Sequence, residues 1–204
     1  TELYLIDISD GSIIRTVDVK DANNEDGEDI TFDETYVYIG DFGNNVNGNR
    51  TNLKILRIDK SSILLNMPVI DTIQFIYSDQ VDFTPTGANN TDYDCEAFVI
   101  SSDSIYLFTK QWVSNGTAVY AMPKFPGTHT AQLQSGYNVQ GLITGAVYME
   151  YQRLVVLSGY SNLLQPLIYC LYDFDSTGFF SENKRKINLS LPFHQVEGIA
   201  TNNG

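Results

Sequence analysis

The sequence predicts an all-β fold assembled from repeated four-stranded units. Tyr and Phe, which favour strands, number 13 and 11 in a chain of 204 residues. Turn pairs such as Asn115-Gly116 separate the strand-like runs. A motif of Asp-x-Glu, a strand, a polar turn and a Tyr-centred strand occurs in 26–45 and again in 93–112. A motif of several strands that recurs at intervals of tens of residues is typical of β-propeller blades.

The position just before the first strand of each unit marks the repeat. The marker residues are Glu28, Glu96, Gly145 and Glu197, separated by 68, 49 and 52 residues. Periods near 40–50 residues fit blades of four strands, and the longer first interval requires an insertion, which 79–92 supplies. A β-sandwich also has frequent turns, but it would not restate the motif at the same place in each unit.

Two inner and two outer strands are expected in each unit. The predicted strands are 29–32, 36–40, 53–59 and 71–79, then 97–100, 105–110, 117–123 and 131–137, then 146–149, 154–159, 166–174 and 185–191. Outer strands of a preceding unit are predicted at 2–9 and 12–19, and a first strand of a following unit at 197–200. A helix of one or two turns is predicted within 59–68. The chain is thus interpreted as one β-propeller domain of four-stranded antiparallel blades, with about three full blades plus parts of two more, incomplete at both ends.

Composition excludes several function classes. The formal net charge of −13 repels phosphate backbones and anionic lipid surfaces, so neither nucleic acid nor a membrane surface is an expected partner. No apolar run is long enough to cross a bilayer, so membrane insertion is not expected. The two cysteines, Cys95 and Cys170, are interpreted as small buried hydrophobic residues.

Four segments carry a family resemblance: "DGEDITFDETYVYIGDFGNNVNGNRTNLKILRI", "DCEAFVISSDSIYLFTKQW", "GLITGAVY" and "LPFHQVEGIA". Together they resemble the blade signature of secreted β-propeller proteins exported by the type IX secretion system, and the resemblance spans essentially the whole chain. It implies a propeller fold and a location outside the cell or on the bacterial surface. At the level of fold alone, the chain is also similar to calcium-dependent six-bladed propellers with lactonase, esterase or phytase activity.

Acidic residues are expected to converge at one mouth of the propeller channel. Glu28, Glu96 and Glu197 each precede an innermost strand, and Asp41 follows the second strand of its unit. Clustered carboxylates repel each other, and a hard cation such as Ca²⁺ relieves that repulsion. These four residues are therefore candidate ligands of a calcium ion. The alternative is that each Glu accepts backbone N–H groups of the neighbouring blade and sets the blade spacing.

A ligand site is predicted around the same mouth. Its candidate residues are Asn44, Asn45, Lys110, Trp112, Tyr160 and His194. Aromatic rings with amide and carboxylate neighbours suit sugar or peptide binding, although the same rings are typical of packing between blades. His194 and Glu197 could act as acid and base, or His194 could be a solvated loop residue. Gly145 either breaks the ring of acids to shape a pocket or adopts a backbone conformation that requires glycine.

The resulting functional hypothesis is an extracellular or cell-surface binding or adhesion module for a glycan, peptide or protein. Its alternatives are a calcium-dependent propeller hydrolase that acts at the acidic mouth, and a structural component of a larger surface assembly. The sequence has no nucleophile elbow, phosphate loop or zinc-protease motif, so an enzyme is the less favoured reading.

Overall fold

The computed structural model describes residues 2–19, 22–175, 178–191 and 193–201, and it is all-β, with 50% strand and 4% helix. The strands are β1 (Glu2–Ile6), β2 (Ile13–Asp18), β3 (Gly27–Phe32), β4 (Tyr36–Asp41), β5 (Lys54–Asp59), β6 (Ile70–Tyr77), β7 (Asp94–Ile100), β8 (Ser104–Lys110), β9 (Thr117–Pro123), β10 (Gly127–Tyr137), β11 (Leu142–Met149), β12 (Leu154–Tyr160), β13 (Pro166–Tyr172) and β14 (Asn183–Asn188). A short helix, α1, spans Lys60–Leu64, and a 3₁₀ turn spans Glu150–Gln152.

The strands form three hydrogen-bonded sheets. β1 and β2 pair alone, and β11 to β14 form a four-stranded antiparallel sheet in chain order. The remaining eight strands form one sheet in the order β3-β4-β5-β6-β10-β9-β8-β7. Its end strands, β3 and β7, pack beside each other, so the sheet is nearly closed and barrel-like.

The long strand β10 joins the first two predicted units, which sequence reasoning treated as separate. Its first part, Gly127–Ala131, runs parallel to Ile73–Tyr77 of β6. Its second part, Gln132–Tyr137, pairs antiparallel with β9. The predicted start at residue 131 missed the first part, because a single strand that changes partner leaves no break in the sequence pattern.

Apolar side chains fill the space inside the eight-stranded sheet and the spaces between sheets. One cluster lies between the two halves of the eight-stranded sheet and includes Phe42 and Phe98, whose rings meet edge to face with centroids 5.3 Å apart. A second cluster joins β7–β9 to β11–β13 and includes Phe108 and Phe179. A third packs β2 on β5, with Val17 against Ile58. Each such side chain stabilises the fold by roughly 1.5–3 kcal/mol when fully buried.

Several expected elements differ in extent. Only Lys60–Leu64 of the segment 59–68 is α-helical, and the Asp59 carboxylate caps it by accepting the Ser62 N–H at 2.9 Å. Residues 197–200 carry no strand assignment, so the predicted first strand of a further unit is not present there. Within the described residues, no helix is long and apolar enough to cross a membrane. Cys95 is fully buried and Cys170 partly buried, and both are free thiols.

The strands β3–β6, β7–β10 and β11–β14 are three runs of four consecutive antiparallel strands. A single extra residue interrupts the first strand of each run. The register shifts fall between Gly27 and Asp29, between Cys95 and Ala97, and between Ile143 and Gly145. The residues left over by these bulges are Glu28, Glu96 and Thr144. We call these three the bulge residues. Thr144, and not Gly145, therefore occupies the place of the glutamates in the third run, and the predicted marker was wrong by one residue.

Gly145 is required for space and not for an unusual backbone conformation. It is not among the residues with positive φ. A Cβ built on it would lie 2.6 Å from the Ser158 hydroxyl oxygen and 2.8 Å from Gly198 Cα. The segment 196–198 thus passes directly against β11, and the absence of a side chain at Gly145 permits that approach.

Replacing Gly145 with Ala should lower the free energy of unfolding by about 1–3 kcal/mol, because the added methyl forces backbone apart. Gly198→Ala is the matched control: its Cβ would meet nothing within 4 Å, so we expect a change within about 0.5 kcal/mol. Denaturant unfolding followed by Trp112 fluorescence measures both. Equal effects in the two variants would show that the close approach of 196–198 to β11 does not constrain the fold.

Candidate functional site

The loops that follow β4, β8 and β12 lie at the same end of the sheets, which we call the loop end. The Asn162 amide nitrogen donates to the Asn115 side-chain oxygen at 2.6 Å, and the Gly141 N–H donates to the Asn115 carbonyl. The Asn44 N–H donates to Asp94 at 2.7 Å. These bonds connect the loops after β4, β8 and β12 to neighbouring loops and to the start of β7.

At the loop end, Glu96 and Lys110 form a buried ion pair. The Lys110 Nζ donates to Glu96 Oε1 at 2.8 Å, and both side chains are about 5% exposed. The ammonium also lies 4.5 Å from the Trp112 ring centroid and 5.4 Å from that of Tyr160. Burial opposes the charge of Lys110, but Glu96 outweighs it and raises the lysine pKa. The predicted ligand-binding residues Lys110, Trp112 and Tyr160 are thus brought together, with the lysine in contact with both rings.

Asp94 fixes Trp112 and the loop after β4. Its two carboxylate oxygens accept the Asn44 N–H and, at 2.8 Å, the Trp112 Nε1–H. Burial raises the pKa of Asp94. The Asn44 side chain is also fully engaged, since it donates to the Tyr93 carbonyl and accepts the Arg50 N–H. Asn44 and Trp112 therefore serve the architecture of the loop end.

Among the residues that the structure describes, none forms with Glu28 an ion pair like that of Lys110 with Glu96. Burial, followed by the charges of Glu96, Asp26 and Asp94, raises the pKa of Glu28 to about 8. A hydrogen bond with Asp26 adds to the increase. A Cβ on Gly43 would collide with the carboxyl oxygens of both Glu28 and Asp26, so glycine leaves the space in which the two carboxyls meet. At neutral pH the Glu28 carboxyl is therefore held mainly in its protonated form.

Asp41 belongs to a different network from the glutamates. Its carboxylate contacts Arg50 at 2.9 Å and Lys54 at 3.0 Å, and it accepts the N–H groups of Glu25 and Asp26. Although burial opposes ionisation, these donors lower the pKa of Asp41. Two cations and two backbone donors already satisfy both oxygens, and Asp41 thereby ties the segment before β3 to β4 and β5.

Asp29 is a buried acidic residue of this region that the sequence analysis did not single out. Its carboxylate accepts the Phe98 N–H at 3.1 Å and so links β3 to β7, the two end strands of the eight-stranded sheet. Burial raises its pKa to about 7, although the N–H bonds from Phe98 and Ile30 act in the opposite sense. The sequence carried one indication: the corresponding residues after the other bulges are the small Ala97 and Gly145.

The C-terminal segment brings the remaining predicted residues to the same region. Thr144 donates its hydroxyl to the Val196 carbonyl, and the charge of Glu197 acts on Glu96. Glu197 and His194 are exposed, and the His194 N–H donates to the Leu164 carbonyl at 2.9 Å. The charge of Glu96 thus acts on Glu28 and that of Glu197 on Glu96, whereas the Asp41 carboxylate is saturated by other partners.

Comparisons with known proteins leave the identity of the chain open. No protein-family model, no curated protein and no solved structure matches it. Within the part of the chain that the structure describes, no group of three or more His, Cys, Asp or Glu side chains is arranged to hold a metal ion. Conclusions about function therefore rest on the geometry of the loop end.

The raised carboxyl pKa values predict that stability falls as pH rises. Because the folded pKa of Glu28 lies above its ordinary value, the folded state binds more protons than the unfolded state between about pH 4.5 and pH 8. The free energy of unfolding should therefore fall across this window, by on the order of 1–2 kcal/mol for Glu28 after allowance for solvent screening.

Chemical denaturation across that pH range tests this prediction on the wild type, on Glu28→Gln and on the control Glu34→Gln, whose residue is exposed in the β3–β4 turn. Glu28→Gln should reduce the slope and Glu34→Gln should retain it. A wild-type stability that is constant or rises over the window would contradict the protonation of Glu28.

Removing one partner of the buried ion pair should be costly. Lys110→Met leaves Glu96 buried without its cation, so we expect a loss of about 3–5 kcal/mol in unfolding free energy. The double variant Lys110→Met/Glu96→Gln should recover a large part of that loss. A double-mutant cycle by denaturant unfolding measures the coupling. Strictly additive effects would show that the two groups act independently.

Proposed function

We propose that the chain is a ligand-binding module with β-propeller architecture. Three successive four-stranded runs, β3–β6, β7–β10 and β11–β14, support the propeller interpretation. The first strands of neighbouring runs pack side by side, and each carries its bulge at the same place. The parallel pairing of β6 with β10 would then be a contact between the outer strands of two blades.

One observation carries the choice of binding over catalysis. The acidic and basic groups at the loop end already bond to neighbouring side chains. The clearest cases are the hydrogen bonds of Lys110 to Glu96 and of Trp112 to Asp94. The loop 42–50, in contrast, encloses a polar cavity of about 280 Å³ with Glu25 and Asp26. A preformed concave surface with several polar groups beside a tightly bonded scaffold is what a binding site requires.

A second candidate function, a calcium-dependent hydrolase, is favoured by Glu28 alone. A partly buried carboxyl whose pKa is raised to about 8, next to Asp26, has the properties of a general acid. A Ca²⁺ ion near Glu28, Glu96 and Glu197 would instead keep these carboxyls ionised. Calcium would therefore stabilise the fold most above pH 8, where the protons no longer compete.

The proposed setting is extracellular, in the medium or on the bacterial surface, on the basis of the resemblance to type IX cargo. The proposed partners are a glycan, a peptide or a protein, and a larger surface assembly would place the same end of the sheets against its neighbours. The net charge of −13 supports partners other than nucleic acids and anionic lipids.

Binding should depend on the loop end and not on the opposite end. Val46 is 64% exposed on the loop that encloses the cavity, whereas Tyr151 is fully exposed in the 3₁₀ turn at the other end of β11 and β12. We expect the folded wild type to bind members of one ligand class on glycan and peptide arrays, with Val46→Arg weakening that binding at least tenfold and Tyr151→Arg leaving it unchanged. Binding to neither array, or equal loss in both variants, would refute the binding-module proposal.

A further inference from the structure

We propose that the cavity enclosed by the loop 42–50 binds a neutral saccharide through three side-chain amides, those of Asn45, Asn47 and Asn49. This inference rests on the proposed binding function and adds the site and the chemical class of the ligand. The cavity has a volume of about 280 Å³ and is also lined by Glu25, Asp26 and Arg50. It is at the lower limit of small-molecule pockets, which suits one sugar ring.

Hydrogen bonds from the insertion 79–92 hold the backbone of the loop. The Thr86 N–H donates to the Asn47 carbonyl at 2.9 Å, and the Asn89 N–H donates to the Asn45 carbonyl at 2.7 Å. The Gln80 side chain donates to the Gly48 carbonyl at 2.9 Å. The insertion that lengthens the first repeat interval therefore acts as a support for this loop.

The backbone is thus fixed, but three amide side chains of the loop remain available. Asn45, Asn47 and Asn49 make no side-chain hydrogen bond to any residue that the structure describes, and all three line the cavity. A carboxamide both donates and accepts, which matches the dual character of a sugar hydroxyl. Presenting such groups on a rigid loop reduces the entropic cost of binding.

The remaining lining excludes other ligand classes. Arg50 is unavailable to an anion, because it already donates to Asn52, to the Gly43 carbonyl and to Asp41. The carboxylates of Glu25 and Asp26 would repel an anion as well. Val46 is the only large apolar side chain among the described lining residues, so an apolar peptide side chain would find few contacts. A neutral ligand rich in hydroxyl groups fits best, with Asp26 as a strong acceptor.

The test is titration of the purified protein with glucose, galactose, mannose and N-acetylglucosamine, followed by saturation-transfer NMR, and with CaCl₂ alone, followed by calorimetry. The double variant Asn45→Ala/Asn49→Ala removes two amides from the cavity. The control Asn188→Ala removes an exposed amide that lies outside the cavity and has no side-chain hydrogen bond to the described residues. Thermal melts of all variants confirm that they are folded.

We expect at least one of these sugars to bind the wild type and the control, and a loss of at least tenfold in affinity in the double variant with an unchanged melting temperature. Sugar binding that survives the double substitution would overturn the assignment of the cavity. Binding of peptides on the array without any sugar would overturn the saccharide class while the binding-module proposal stands. Binding of Ca²⁺ alone, with no ligand on either array, would overturn both in favour of the calcium-dependent alternative. An absence of every ligand in both experiments would refute both.

Discussion

The bulge in the first strand of each four-stranded run imposes the constraint on which the loop end depends. The extra residue interrupts the ladder where neighbouring sheets meet, so its polar side chain has to be neutralised locally. The three bulge residues do this in three ways. Glu96 pairs with Lys110, Glu28 retains a proton beside Asp26, and Thr144 donates to the Val196 carbonyl. The side chain at the same bulge is therefore an ion-paired acid in one run, a protonated acid in another and a neutral hydroxyl in the third.

These differences explain why one part of the loop end has little space for a ligand, whereas another part lies beside a cavity. Where the ion pair is complete, aromatic rings and Asp94 surround it and little is left for a ligand. Near Glu28, Gly43 and the loop 42–50 lie beside a cavity that is also lined by Asp26. Asp41, with its own two cations, anchors that loop without entering the acidic cluster. Ligand binding is therefore proposed for the part beside the cavity.

Strand positions and the repeat could be predicted from the sequence, because alternation and turn residues are local features. The strands β4, β8, β9 and β12 lie within a residue or two of their predicted bounds. The partner exchange of β10 could not be predicted, since it depends on the distance between two outer strands. For the site, the proximity of Glu28 and Glu96 could be expected from the repeat, since both stand at the same place in neighbouring runs. The roles of Asp29, Asp41 and Lys110 did not, because each depends on which donor or acceptor a neighbouring strand or loop presents.

The protonation state of Glu28 is the most direct test of this account. Carbon-13 NMR of labelled glutamate carboxyls, with Glu28→Gln for assignment, follows that group alone through a pH titration. We expect a midpoint near pH 8, raised by burial and by the neighbouring acids. A midpoint near the ordinary value of 4.5 would contradict it, and would mean that water or a cation neutralises Glu28 in place of the proton.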